Sequence, residues 1–221
     1  MKIKNLQTDQ KIFFIGLNKT ATTTFYRFFQ KNGYECEDSP KWWRYHTKEE
    51  FQNNEVFTDG YDRIARIARS EDGNEMFDCW PNIRFLNQTF PNSYYILQTR
   101  PMKDWLISRQ LKYAYNGKTG KVGLDSRFHT LEEDYILRLY WHKKVTWEAN
   151  VLFKNTDKQF LELDISEQNS TIVTNLEKFL QIKFEDNLID EHNKTTWIDK
   201  EAKKFYENKV TEFLQQKKYE I

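Results

Sequence analysis

The stretch KIFFIGLNKTATTTFYRFF, residues 11–29, limits the fold more than any other. Lys11 to Ile15 carry an apolar run without alternation, Ile12 to Ile15, and read as a strand buried on both faces, the kind found in parallel sheets. Gly16 follows, then a short polar loop. From Thr22 to Asn32 the residues Phe25, Phe28 and Phe29 recur at helical spacing, and Gly33 is the stop signal. A strand, a tight polar loop and a helix together outline an anion-binding loop. The first amides of a helix have no partner inside it and carry partial positive charge. The plainer alternative is a turn whose threonines only cap the helix.

Similar alternation continues along the chain. EVFTD reads as a short strand, and residues 38–54 before it as irregular. GYDRIARIARS has helical periodicity. MFDCW reads as a strand ending near Asp78, followed by a helix begun at Pro81. YYILQT is a second buried strand, Lys103 to Tyr113 a helix, and NGKTGKVGLDS a glycine-rich surface loop. Leu131 to Phe153 reads as a long helix, QFLELDI as a third strand, and STIVTNLEKFLQI as a helix. An amphipathic helix closes the chain, with Thr196 as its N-cap. Strands alternating with helices predict an α/β fold with a mainly parallel central sheet flanked by helices. No repeat or linker interrupts residues 1–221, so one domain is expected. Ligands of such sheets sit beyond the carboxyl ends of the strands, where the loop, Asp78 and Arg100 all fall.

Compared with the phosphate-loop pattern G-x-x-x-x-G-K-[ST], the frame here begins at Gly16. Ala21 stands for the second glycine, Thr22 for the lysine, and Thr23 is the hydroxyl residue. The lysine lies inside the loop, at Lys19. If position 21 requires positive φ, alanine there is strained by roughly 1 kcal/mol or more.

GLNKTATTTF resembles the 5′-phosphosulfate-binding loop of sulfotransferases that use 3′-phosphoadenosine-5′-phosphosulfate (PAPS), roughly P-K-x-G-T-T-x-L. Lys19, Thr22 and Thr23 match; Asn18 replaces the proline and Ala21 the glycine. The resemblance implies a three-layer P-loop-like domain with Lys19, Thr20, Ala21, Thr22, Thr23 and Thr24 around the donor. A second match is YYILQTRPMKDWLISRQ, with Arg100 at a strand end and Ser108 eight residues on. In the family such a pair binds the 3′-phosphate. A guanidinium fork suits a phosphate dianion, and a serine hydroxyl adds a donor. The alternative is a structural ion pair for Arg100 and a surface position for Ser108. EHNKTTW resembles a late loop that folds over the nucleotide, which adds Asn193 and Lys194 as donor contacts. The resemblance spans most of the chain and is nearest to the short soluble bacterial-type enzymes.

Sulfuryl transfer needs an acceptor placed in line, a general base, and positive charge on the leaving phosphate. It requires no metal. Lys19 is the candidate for stabilising the bridging oxygen and the leaving phosphate. FDCWP resembles a D-x-P stretch of the short soluble enzymes, which implies Asp78 as the base. The plainer alternative for Asp78 is an N-cap for the helix at Pro81 or a partner for Arg84. Asp59, in FTDGY, is the second candidate for the base. A carboxylate base near neutral pH needs burial to raise its pKa, or a well-aligned acceptor. His142, mid-helix in LYWHKKV, reads as a packed or partly exposed structural residue, with a catalytic role as the lesser alternative. Trp42 and Trp43 either stack on an acceptor or pin a loop, and Lys118 and Lys121 either form an acceptor lid or are solvated. The expected acceptor is a hydroxyl or amine of a small molecule or carbohydrate.

The net charge of +1 gives no global field for nucleic acid, and no apolar run approaches the ~20 residues that span a bilayer. Cys36 and Cys79 show no metal or redox spacing and the start of the chain no export signal, so a cytoplasmic location is expected. Two other classes remain open. A P-loop kinase predicts a lysine directly before Thr23, where Thr22 stands, and Asp164 in FLELD comes close to its metal-binding aspartate. A non-catalytic nucleotide-binding relative is the other.

Overall fold

The computed structural model describes residues 10–17, 19–37, 47–51, 54–58, 86–116, 131–154, 159–187, 189 and 200–217. The chain divides into two compact units. The first comprises Met1–Thr99 and Glu148–His192, and the second Arg100–Trp147 and Asn193–Ile221.

The first unit holds a five-stranded sheet, β1 (Ile12–Phe14), β2 (Cys36–Glu37), β3 (Val56–Phe57), β4 (Tyr94–Thr99) and β5 (Gln159–Asp164). Their order is β2-β3-β1-β4-β5 and every neighbouring pair is parallel, as the unbroken apolar runs predict. β1 is only IFF, yet all three residues are at most 1% exposed, because it is the central strand. Side chains alternate across it. Ile12 and Phe14 join Phe25, Phe28, Phe29, Ile96, Ile172, Val173 and Leu176 beneath α1 (Thr22–Lys31) and the helix Asn169–Leu180.

Phe13 points to the other face, into an aromatic layer. Its ring stacks on Phe57 and Tyr95 at 5.3 and 5.6 Å, and Tyr95 stacks on Phe153 at 4.4 Å. Phe51, from the 3-10 turn Lys48–Phe51, and Phe90 close the layer 5.1 Å apart. The Tyr95 hydroxyl lies 2.8 and 2.9 Å from the carbonyls of Leu86 and Phe90, to which it donates its one proton. This ties the turn before β4 to the strand.

α1 ends as the glycine predicts. Gly33 takes φ 82°, its N–H donates to Gln30 O at 2.9 Å, and Tyr34 N–H donates to Phe29 O at 3.1 Å. The rings of Phe29 and Tyr34 meet edge-on at 5.3 Å, completing a Schellman stop. Asn32 then fastens this end to a distant segment: its side chain donates to Asp186 O at 2.9 Å and accepts from Asp186 N–H at 3.1 Å.

The second unit is helical. It contains α2 (Met102–Asn116), most of α3 (Leu131–Ala149), and α5 (Lys200–Lys217), with Asn169–Leu180 numbered α4 in the first unit. α3 runs on into a π turn, Asn150–Lys154, which extends the helix to the length its periodicity predicts. Trp105 of α2, 2% exposed, packs on the ring of His142 in α3 at 5.5 Å. Tyr135 of α3 packs on Phe213 of α5 at 5.3 Å. Among the described residues no helix is long and apolar enough to cross a membrane.

Candidate functional site

β1 has β3 on one side and β4 on the other, and the chain leaves it through α1 toward β2 and β3. The later strands lie on the opposite side. The carboxyl end of β1 is thus the point where the strand order reverses, and a crevice opens at such a point. Residues 15–17 and 19–24 occupy this place.

The local geometry starts from Gly16. Ile15 N–H continues the ladder to Ile96 O at 2.9 Å. Gly16 N–H then turns to the side chain of Gln98 and donates to its Oε1 at 2.8 Å. A Cβ on Gly16 would lie 2.2 Å from the Gln98 carbonyl oxygen and 2.7 Å from its Cδ. Only glycine fits so close an approach. The hydrogen bond fixes which way the Gln98 amide faces, and its Nε2 is then a buried donor with no partner among the described residues.

Two residues of the loop adopt left-handed backbone, Lys19 at φ 65° and Ala21 at φ 64°, ψ 26°. Position 21 therefore does require positive φ, and alanine occupies it under strain. Each such non-glycine residue stores about 1–2 kcal/mol. The Thr20 hydroxyl, 2% exposed, donates to Leu17 O and closes the loop on itself. Ala21 is the N-cap of α1 and offers no side-chain acceptor, and the first turn contains no acidic residue. Thr22 and Thr24 are buried and Thr23 is half-buried. The outcome is a helix N-terminus without a side-chain cap, preceded by Lys19 and by no carboxylate between 16 and 24. This composition fits an anion with several oxygens. The threonines do not supply the cap that the plainer reading of this stretch required.

Six of the predicted site residues, Lys19 to Thr24, thus share one loop–helix junction in the first unit. Arg100 and Ser108 belong to the second. Arg100 directly follows β4, and Ser108 lies half-buried within α2. Burial lowers the Arg100 pKa, and Asp104 one turn on raises it. A guanidinium keeps its charge under either influence. Arg100, Asp104 and Ser108 recur every four residues, so Asp104 and Ser108 share a stripe of α2. The Arg100 carbonyl lies 3.2 Å from His142 Nε2. A carbonyl only accepts, so Nε2 carries the proton. Burial lowers the His142 pKa more than this bond raises it, which keeps the ring neutral. His142 is a positioning group for the Arg100 backbone, consistent with its reading as a packed residue.

Asp164 ends β5, and its Oδ1 accepts from both Ser166 N–H and Oγ–H at 2.8 Å. That oxygen is engaged in a local turn. Asp59, Asp78, Asn193, Lys194, Trp42, Trp43, Lys118, Lys121 and Thr196 lie outside the described residues. Sequence reading missed Gln98. Its signal was a side-chain amide placed directly after the apolar residues YYIL in a buried strand.

Among known proteins, no family model matches this chain, and no curated protein is significantly similar to it.

Proposed function

We propose that the chain is a sulfotransferase that moves the sulfuryl group of PAPS to a hydroxyl or amine of a small molecule or carbohydrate. The observation that supports this reading is the junction after β1: Gly16 locked to Gln98, two left-handed residues at Lys19 and Ala21, and a helix that starts without a cap. The strand order with this loop on the central strand also favours a P-loop-like arrangement.

In this reading the amides of Thr22 to Thr24 hold the 5′-phosphosulfate. Lys19 neutralises the bridging oxygen as the S–O bond breaks and charge grows on the departing phosphate. Arg100 and Ser108 take the 3′-phosphate, which distinguishes this donor from ATP. Asp78, or Asp59 in its place, removes the acceptor proton as the acceptor oxygen or nitrogen attacks sulfur in line. Asn193 and Lys194 cover the nucleotide. No metal takes part in this scheme.

Calorimetric titration with adenosine 3′,5′-bisphosphate, beside MgATP and AMP, tests the proposal without knowledge of the acceptor. Tight binding of the bisphosphate alone is expected. Preference for MgATP would replace this reading with a kinase, and binding of none of the three would leave a fold without a nucleotide site.

A further inference from the structure

One surface has no role in the reaction proposed above. Along α3 the residues Glu132, Ile136, Tyr140, Lys143 and Trp147 are spaced by four, four, three and four, so they form one stripe. All five are exposed, and the apolar ones heavily: Ile136 45%, Tyr140 54% and Trp147 65%. Tyr135, Arg138, His142 and Val145 recur by three, four and three on the opposite side, where they are buried or half-buried. Tyr135 and His142 make that side's ring contacts with Phe213 and Trp105. α3 is therefore apolar on two faces. A helix of that kind is normally covered on both. Isolated exposed apolar residues need no explanation, but three large ones in line over about 16 Å mark a docking surface.

We propose that this stripe pairs with the same stripe of a second copy, antiparallel, across a two-fold axis between positions 140 and 143. From Ile136 to Trp147 the stripe is its own complement in that register. Trp147 of each copy meets Ile136 of the other, large against small. Tyr140 of each meets Lys143 of the other, and an ammonium over a tyrosine face is attractive, more so once water is excluded. The antiparallel arrangement also opposes the two helix dipoles. A two-fold contact makes each of these pairs twice, and self-complementarity of this type is what a closed dimer requires. The limited length of the stripe places the dimer among small, concentration-dependent interfaces.

Sedimentation velocity of the full chain from about 2 to about 200 µM tests the proposal, a range that brackets weak dimers. The wild-type chain should pass from monomer to dimer. Trp147→Glu should remain monomeric throughout with an unchanged far-UV spectrum and melting temperature, since the side chain is exposed. Tyr140→Lys, which faces Lys143 of the other copy, should abolish the dimer. Tyr140→Glu, which gives that lysine an anion, should retain it. A wild-type chain monomeric at about 200 µM overturns the proposal, as does a dimer that survives Trp147→Glu. Equal loss with Tyr140→Glu and Tyr140→Lys overturns the register.

Discussion

Gly16 and Gln98 are locked together. The glycine N–H donates to the glutamine Oε1 at 2.8 Å, and the space where a Cβ would stand lies 2.2 Å from the glutamine carbonyl oxygen. The obstacle is backbone in the middle of a sheet, so it cannot rotate away. Gly16→Ala should destabilise the chain by about 1–3 kcal/mol, as overpacking does, and loosen the loop. Urea unfolding of both forms measures this. An unchanged midpoint would mean that the strand end yields without loss.

Ala21 predicts the opposite sign. At φ 64° a methyl group is strained and glycine is not. Ala21→Gly should stabilise the chain by about 1 kcal/mol, or raise Tm by about 2–4 °C. Under the sulfotransferase reading the same change should leave bisphosphate affinity equal or higher. A lower Tm would show that the left-handed backbone at this position carries no penalty.

Arg100 separates the proposed donor from other nucleotides. Loss of a charge-assisted contact removes about 1.5–3 kcal/mol, or roughly 10- to 150-fold in affinity. Arg100→Ala should show that loss for adenosine 3′,5′-bisphosphate and little for AMP in side-by-side calorimetry. Equal weakening of both ligands would remove Arg100 from the 3′-phosphate. Lys19→Ala, by contrast, should abolish turnover.

His142 predicts a pH dependence. Burial holds its imidazole below the ordinary value of 6.5, so the folded chain takes up this proton less readily than the unfolded one. The stability due to neutral His142 is full above 6.5 and is lost as pH falls from there through the folded-state value. His142→Gln keeps a donor for the Arg100 carbonyl and has no proton to gain. Its melting temperature should therefore fall less than that of the wild type as the solution is acidified below 6.5. Parallel pH curves for the two proteins would refute the assignment.

The long elements were legible because their patterns are long. IFF and YYILQT lack alternation and are buried on both faces. Phe25, Phe28 and Phe29 mark the inner side of α1, and Gly33 marks its end. β2 is only Cys36–Glu37, too short for any period to show, and its place depends on pairing with β3. Phe51 sits in a 3-10 turn of four residues, where one apolar side chain among lysine and glutamates gives no hint that it plugs the aromatic layer. The strand–loop–helix junction at residue 16 was legible from its composition, and the anion site proposed there rests on the same residues. That Ala21 is left-handed was not legible, because alanine gives no sign of positive φ. The Gly16–Gln98 contact was hidden because it joins residues far apart in sequence and depends on register.

That separation, 82 residues, has a consequence for how the molecule assembles. Parallel strands pair only after a long chain segment has closed, and such closures are slow. The stretch from Gly16 to Thr24 is made early, yet its first bend takes shape only when β4 arrives to supply Gln98. A fragment that ends before residue 98 would possess every residue of the loop and lack its form. Protection of the Gly16 amide, followed by pulsed hydrogen exchange, would serve as a clock for the moment the sheet closes.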